Sequence, residues 1–224
     1  MPSVTRESNA SHESLHLASS TSTLRPGSSI HPASLVDASL HSLYTMRLVN
    51  MKISRELINH SVDQVIQTIE YALIRSRTSF YSHSRSIGHS SGRRTPAQLK
   101  FAIFVSTVLT NAGVKTPTLL TSLIYITRAR PYLDIPMAEE WALERVFLGA
   151  LMTASKYLND STLKNVHWAM CTGIFGKSDV GRIEREFLAV LDWDLGVSER
   201  EILGLWDSLK WAVEMEEVDG GRPW

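Results

Sequence analysis

Two histidines near the amino terminus have the spacing of a zinc protease motif. His12-Glu13-Ser14-Leu15-His16 matches H-E-x-x-H, which on a helix puts two imidazoles on one face for zinc, with a glutamate as general base. The string lies in a serine-rich stretch without an apolar helical period, whereas a catalytic metal needs a rigid site shielded from water. We interpret it as a chance match and predict neither a metal nor another cofactor.

Other signs of enzyme chemistry are weak. The phosphate-binding pattern G-x-x-x-x-G-K-[ST] and the dinucleotide-binding pattern G-x-G-x-x-G do not occur in the sequence. The single cysteine, Cys171, lies in a helical pattern without an evident activating partner. One cysteine also excludes an intrachain disulfide and a cysteine-based zinc cluster. We predict that the chain is not an enzyme.

Two ionisable residues stand at the edges of apolar helical stretches. Lys156 ends the most apolar stretch of the chain, and Glu184 follows Ile183 at the border of a later apolar face. By pattern alone each is an ordinary surface charge that contributes little to the stability of the fold. Four tryptophans also fall at amphipathic positions: Trp168, Trp193, Trp206 and Trp211. Tryptophan at such positions packs in cores or interfaces more often than it stacks on bases.

Composition and charge are those of an ordinary folded protein. Hydrophobic residues make up 43% of the 224 residues, and 23 Lys and Arg balance 23 Asp and Glu. A nucleic-acid or anionic-membrane partner would favour a basic excess. The chain shows neither a secretory signal pattern nor the about 20 consecutive apolar residues of a membrane span. We therefore predict an intracellular protein, nuclear, cytoplasmic or both, without a nucleic-acid or membrane partner.

The first part of the chain divides into three segments. Residues 1–42 are rich in Ser and His and predict a disordered tail. Residues 43–74 predict one amphipathic helix, in which apolar residues from Leu57 to Leu73 recur at helical spacing. Residues 75–94 place five arginines among serines and glycines. They predict a loop, which is either a solvated basic linker or a site for phosphate or an acidic segment.

The rest of the chain predicts helices only. Residues 95–197 carry five helical patterns, and Thr95 and Thr116 each precede a proline, as a capping hydroxyl does at a helix start. The stretch 146–155 contains no charge, so the third of these helices should be surrounded by others and be the most buried. The segment 198–224 predicts a last helix and a tail. We expect an all-α fold, a five-helix orthogonal bundle with flanking helices at both ends.

Several strings in series resemble the cyclin box of the PCL-type fungal cyclins. They are KTPTLL at 115–120, FLGAL at 147–151, ASKYLND at 154–160, HWA at 167–169 and IEREFL at 183–188. Order and spacing agree as well as identity, and the likeness covers about residues 50 to 210. Residues 95–197 would then be a single cyclin box. No room remains after about residue 216 for a second box.

The resemblance implies a non-catalytic regulatory subunit. Such a cyclin binds and activates a cyclin-dependent kinase, here the phosphate-response type, and helps to select the protein substrates of that kinase. In cyclins a lysine at the end of the third box helix and a glutamate of the fifth bind the kinase, and Lys156 and Glu184 match these positions. The same alignment predicts four residues for the apolar part of the kinase contact: Tyr157, Leu188, Trp193 and Leu195.

Two alternatives remain open at this point. A cyclin-fold adaptor of nucleic acid or transcription machinery would show a basic stripe across the folded domain. A helical scaffold without a kinase would leave Lys156 and Glu184 far apart or buried. The first box helix, LKFAIFVSTVL, also lacks the tryptophan-containing docking pattern of many animal cyclins.

Overall fold

Helices form all the regular secondary structure that the structure describes. The structure is a computed structural model that describes residues 40–80, 94–136 and 139–219, with only the backbone for 77–80 and 215–219. Within these ranges nine helices and no strand occur, as the sequence predicts. The helices are α1 (Leu43–Asn50), α2 (Arg55–Phe80), α3 (Pro96–Asn111), α4 (Thr116–Ala129), α5 (Ala142–Leu158), α6 (Asn165–Thr172), α7 (Lys177–Val190), α8 (Glu199–Gly204) and α9 (Trp206–Asp219).

Helix α5 lies at the centre of the bundle. Every residue from Val146 to Ala154 is buried, and α2, α3, α4 and α7 pack around it. The prediction that this helix is surrounded is therefore confirmed. The prediction that it is the most buried element is wrong, because α4 buries eleven of its fourteen residues and α5 buries ten of seventeen. Polar residues of α4 can be buried because their hydroxyls bond within the helix, as Ser122 does by donating to the Leu119 carbonyl at 2.6 Å.

Helices α5 and α7 approach each other closely at Gly149. A Cβ atom at that position would lie 2.8 Å from the Cβ of Phe187, well inside van der Waals contact. Gly149 therefore allows the backbone of α5 to pack directly on the Phe187 side chain. This contact brings together the two helices that carry Lys156 and Glu184.

Two predicted helix starts have different outcomes. Thr95 caps α3 in a capping box, since its hydroxyl accepts the Gln98 N–H at 3.3 Å and the Gln98 side chain accepts the Thr95 N–H at 2.9 Å. Thr116 is not a cap, because Lys115 holds that position without a side-chain bond. The buried Thr116 hydroxyl instead donates to the Met51 carbonyl at 2.5 Å, in the connection between α1 and α2. A long-range contact has replaced the local one.

The boundaries predicted before residue 95 need correction. The single helix expected over 43–74 is two helices, because the chain is extended at Met51 before α2 begins. Helix α2 then continues to Phe80, into the segment 75–94 that predicts a loop. Arg75 favours this extension by donating from α2 to the carbonyls of Pro131 and Leu133. The predicted tail up to residue 39 and the rest of the predicted loop, 81–93, lie outside the described residues.

The carboxyl-terminal segment begins as predicted and then breaks. Ser198 and Glu201 form the expected capping box of α8, with the Ser198 N–H donating to the Glu201 carboxylate at 2.9 Å. The one expected helix is two, because α8 ends at Gly204, a residue with low helix propensity. At the start of α8, Glu199 accepts the Ser42 N–H at 2.7 Å and so caps the beginning of α1.

The contact at Gly149 yields a stability prediction. Gly149→Ala should lower the free energy of unfolding by about 1 to 3 kcal/mol, because the new methyl group overlaps Phe187. Gly204→Ala is the matched control, since nothing lies within 4 Å of its added Cβ, and it should be neutral or stabilising by up to about 1 kcal/mol. Urea unfolding of both variants tests this. Equal stability of the two would show that α5 and α7 do not depend on this close approach.

Candidate functional site

Lys156 and Glu184 form a direct ion pair where α5 ends beside α7. The Lys156 Nζ atom lies 2.6 Å from Glu184 Oε1 and 3.0 Å from the side-chain oxygen of Asn165, the first residue of α6. Asn165 also donates to Glu184 Oε2 at 3.3 Å. The three side chains close a ring of hydrogen bonds that joins α5, α6 and α7. We call this ring the Lys156 cluster.

The Lys156 cluster is only partly shielded from water. The side chain of Lys156 is 33% exposed and that of Glu184 is 14% exposed. An ammonium group has three donors, and the described residues supply acceptors for two of them. One donor of Lys156 therefore stays available for an acceptor outside the described chain. Each oxygen of Glu184 accepts one bond, so the carboxylate holds both Lys156 and Asn165 and can still accept further bonds.

The four apolar residues predicted beside this pair fall into two kinds. Tyr157 directly follows Lys156 and is 46% exposed, and Trp193 is 66% exposed. Leu188, one turn after Glu184 on α7, is buried, and Leu195 is half-buried against the core. The two aromatic side chains can therefore meet a partner directly. The two leucines are largely withdrawn from solvent.

The end of α7 explains why Trp193 lies beside Leu188. The Asp192 N–H donates to the Ala189 carbonyl and the Trp193 N–H donates to the Leu188 carbonyl, both at 3.1 Å. These are the two bonds of a Schellman motif, and the second joins the backbones of Leu188 and Trp193 directly. Glycine is usual at the first residue past such a helix, whereas here Asp192 and Trp193 have φ of 50° and 60°. Two residues with side chains thus adopt the left-handed conformation.

Sequence reasoning did not find three residues that build this surface. Asn165 completes the Lys156 cluster, and Tyr125 and Arg128 of α4 bind backbone carbonyls after Trp193. Burial raises the pKa of Tyr125, and the nearby Tyr157 phenol raises it further. The hydroxyl of Tyr125 therefore remains a donor well into the alkaline range. No local pattern marks these residues, because each binds a segment distant in sequence.

The structure does not test the enzyme-like strings of the sequence. The H-E-x-x-H string at 12–16 lies outside the described residues. So does Gly88-His89-Ser90-Ser91-Gly92, which fits the G-x-S-x-G pattern of serine hydrolases, a pattern that needs a preceding strand. Within the described ranges no group of three or more His, Cys, Asp or Glu could hold a metal ion. Burial raises the pKa of Cys171, the reverse of an activated thiol.

Among the helices of residues 40–80, 94–136 and 139–219, none combines the length and the apolar character that a bilayer span requires.

The burial of Glu184 changes the stability expected of the Lys156 cluster. Lys156→Ala should lower the free energy of unfolding by about 1 to 3 kcal/mol, because it leaves a largely buried carboxylate without its cation. The double variant Lys156→Ala with Glu184→Ala removes both charges and should recover part of that loss. Thermal and urea unfolding of the single and double variants measure this. If the double variant lost more unfolding free energy than the two single variants together, the result would contradict the pairing.

Comparison with known proteins gives the family of the chain. The model of the cyclin N-terminal domain matches residues 54–196, more than half of the chain. The chain is 35% identical over 102 residues to PHO85 cyclin-2 of Saccharomyces cerevisiae, covering 45% of this chain and 33% of the relative. It is 33% identical over 114 residues to PHO85 cyclin-9 of the same yeast, covering 50% and 36%.

A third yeast relative, PHO85 cyclin-1, is 33% identical over 106 residues, covering 45% of this chain and 37% of the relative. The chain thus spans about a third of the length of the curated relatives that it matches. These relatives are of the PCL type that the sequence motifs predict. By the extent of the family match, the chain belongs to the cyclin family.

Proposed function

We propose that this chain is the non-catalytic regulatory subunit of a cyclin-dependent kinase of the phosphate-response, PHO85 type. The names of its yeast relatives support this choice of kinase. The kinase would bind a surface made by the Lys156 cluster and by Tyr157, Leu188, Trp193 and Leu195. We call this surface the Lys156 face. Selection of protein substrates would be a further part of the same role, and it rests on the resemblance alone.

The free donor of Lys156 is the observation that carries the proposal. Its ammonium group is fixed by Glu184 and Asn165, with one N–H left for an outside acceptor. Tyr157, the next residue of the chain, and Trp193 are both exposed. Aromatic residues around a few charge-assisted hydrogen bonds are the usual composition of a binding hot spot. A backbone carbonyl of the kinase would be a suitable acceptor.

Binding at the Lys156 face would activate the kinase by shifting its conformational equilibrium. A kinase is active when a lysine of its sheet pairs with a glutamate of its regulatory helix. A partner that binds only the conformation with this helix in place increases the population of that conformation. The chain would then supply binding free energy and no catalytic group.

The charge distribution supports the kinase proposal over an adaptor of nucleic acid. Among the described arginines, Arg94 pairs with Asp63, Arg128 with Glu201 and Arg145 with Glu186. These three cations are neutralised, and the chain as a whole balances 23 Lys and Arg with 23 Asp and Glu, whereas binding to a phosphate backbone favours a basic excess. A scaffold without a kinase is also disfavoured, because Lys156 and Glu184 are neither apart nor fully buried.

Affinity for the kinase tests the proposal. Trp193→Ala and the double variant of Lys156→Ala with Glu184→Ala should each weaken binding to purified yeast PHO85 kinase by about thirtyfold, or about 2 kcal/mol. The reason is that each removes a central part of the Lys156 face. Isothermal titration calorimetry would give the dissociation constants.

The matched control is Trp211→Ala. Trp211 is also an exposed tryptophan, 40% accessible, but it lies on α9 and bonds the Ser208 carbonyl of its own helix. Its removal should leave the affinity unchanged. Equal affinity of the Trp193 and Trp211 variants, with both folded, would reject the Lys156 face as the kinase site.

A further inference from the structure

Three successive backbone carbonyls after Trp193 are bound by side chains of α4. Arg128 Nη1 donates to the Asp194 carbonyl at 2.9 Å, and Arg128 Nη2 donates to the Gly196 carbonyl at 2.5 Å. Between them, the Tyr125 hydroxyl donates to the Leu195 carbonyl at 2.7 Å. We call this arrangement the α4 clamp. A segment outside regular secondary structure therefore has three consecutive acceptors satisfied by one neighbouring helix.

The guanidinium group of the α4 clamp is itself held in place. Its Nε and Nη2 atoms donate to Glu201 Oε1 at 2.9 and 2.5 Å. Glu201 is in turn fixed by the Ser198 N–H at the start of α8. The Arg128 side chain is 21% exposed, so these bonds form in a largely shielded site. A lysine could not replace it, because only a guanidinium offers several donors in a fixed planar arrangement.

The segment that the α4 clamp binds follows a strained turn. Asp192 and Trp193 both have positive φ, a conformation that residues with side chains adopt at a cost and keep only where the surroundings impose it. The backbone of Trp193 lies between the Schellman bonds at the end of α7 and the clamped carbonyls from Asp194 onward. The Trp193 side chain is 66% exposed. Its backbone conformation sets the direction in which its Cα–Cβ bond leaves the chain.

We propose that Arg128 and Tyr125 are positioning residues for partner binding, which clamp residues 194–196 so that Trp193 is presented to the kinase in one orientation. This inference rests on the proposed function of the Lys156 face. A rigid anchor loses less conformational entropy on binding than a mobile one, so the clamp increases affinity without touching the partner.

The experiment has two arms. The first measures native-state hydrogen exchange in the free protein at the amides of Asp192, Trp193 and Asp194, whose hydrogen bonds end α7. Arg128→Met removes every clamp donor of the arginine but keeps an apolar side chain, and it should speed this exchange by about tenfold or more. Tyr125→Phe removes a single hydroxyl and should give a smaller increase in the same amides. If Arg128→Met does not fold, Tyr125→Phe replaces it in both arms of the experiment.

Arg145→Met is the control for the exchange arm. Arg145 is 25% exposed, close to Arg128, and among its described contacts it pairs with the carboxylates of Glu139 and Glu186 rather than with carbonyls. Its replacement should leave exchange at the three amides unchanged.

The second arm measures affinity for purified PHO85 kinase in two backgrounds. In the wild-type chain Arg128→Met should weaken binding by about tenfold. In a Trp193→Ala chain the same change should weaken binding little further, because the residue that the clamp positions is already absent. A residue that merely stabilises the fold would not show this dependence on Trp193.

Each outcome decides the proposal. Unaltered exchange in Arg128→Met and Tyr125→Phe overturns the clamp, and so do affinity losses that add in full to that of Trp193→Ala. If the wild-type chain itself does not bind the kinase, the proposed function fails and the positioning role fails with it. A wild type that binds, with fast exchange in the variants and non-additive losses, supports both.

Discussion

The direct packing of α5 on α7 is the constraint on which the rest of the structure depends. Gly149 has no side chain, and this absence allows the Phe187 ring to lie against the backbone of the central helix. Lys156 is two turns further along α5, and Glu184 is almost one turn before Phe187 on α7. The pair can meet at 2.6 Å only because the two helices are this close. A wider spacing would separate the charges and open the core beneath them.

A second constraint sets the aromatic part of the proposed Lys156 face. Helix α7 ends in a Schellman motif without glycine, so Asp192 and Trp193 adopt a conformation that is unfavourable for them. The surrounding contacts compensate for that cost, in particular the bonds from α4 to the carbonyls that follow. The surface therefore combines a charge pair ordered by three helices with a tryptophan ordered by its backbone. Both parts are arranged before any partner binds.

Local chemistry was predictable from the sequence, and distant contacts were not. The capping boxes at Thr95 and Ser198 involve residues three apart, so their patterns are visible in the sequence. The hydroxyl of Thr116 and the guanidinium of Arg75 instead bind carbonyls more than fifty residues away. Because tertiary contacts override local preference, Thr116 is not the predicted cap and α2 extends into the predicted loop. The burial of α4 was missed for the same reason.

The candidate site was predictable only in part. Helical periodicity alone describes Lys156 and Glu184 as ordinary surface charges, and the likeness to cyclins was needed to single them out. Neither approach indicated Asn165, Tyr125 or Arg128, whose roles depend on how α4, α6 and α7 meet. The low exposure of Glu184, 14%, could not be predicted either, and it gives the pair a part in the stability of the fold besides the binding role proposed for it.

Hydroxyl-radical footprinting of the chain with and without kinase is the most direct test of the central claim. Aromatic side chains oxidise readily where water reaches them, and Tyr157, Trp193, Trp141 and Trp211 are all at least 40% exposed in the free chain. Addition of the kinase should protect Tyr157 and Trp193 from oxidation, and leave Trp141 and Trp211 as reactive as before. Protection of Trp141 or Trp211 with Tyr157 and Trp193 unchanged would contradict the account, since the kinase would then bind another face.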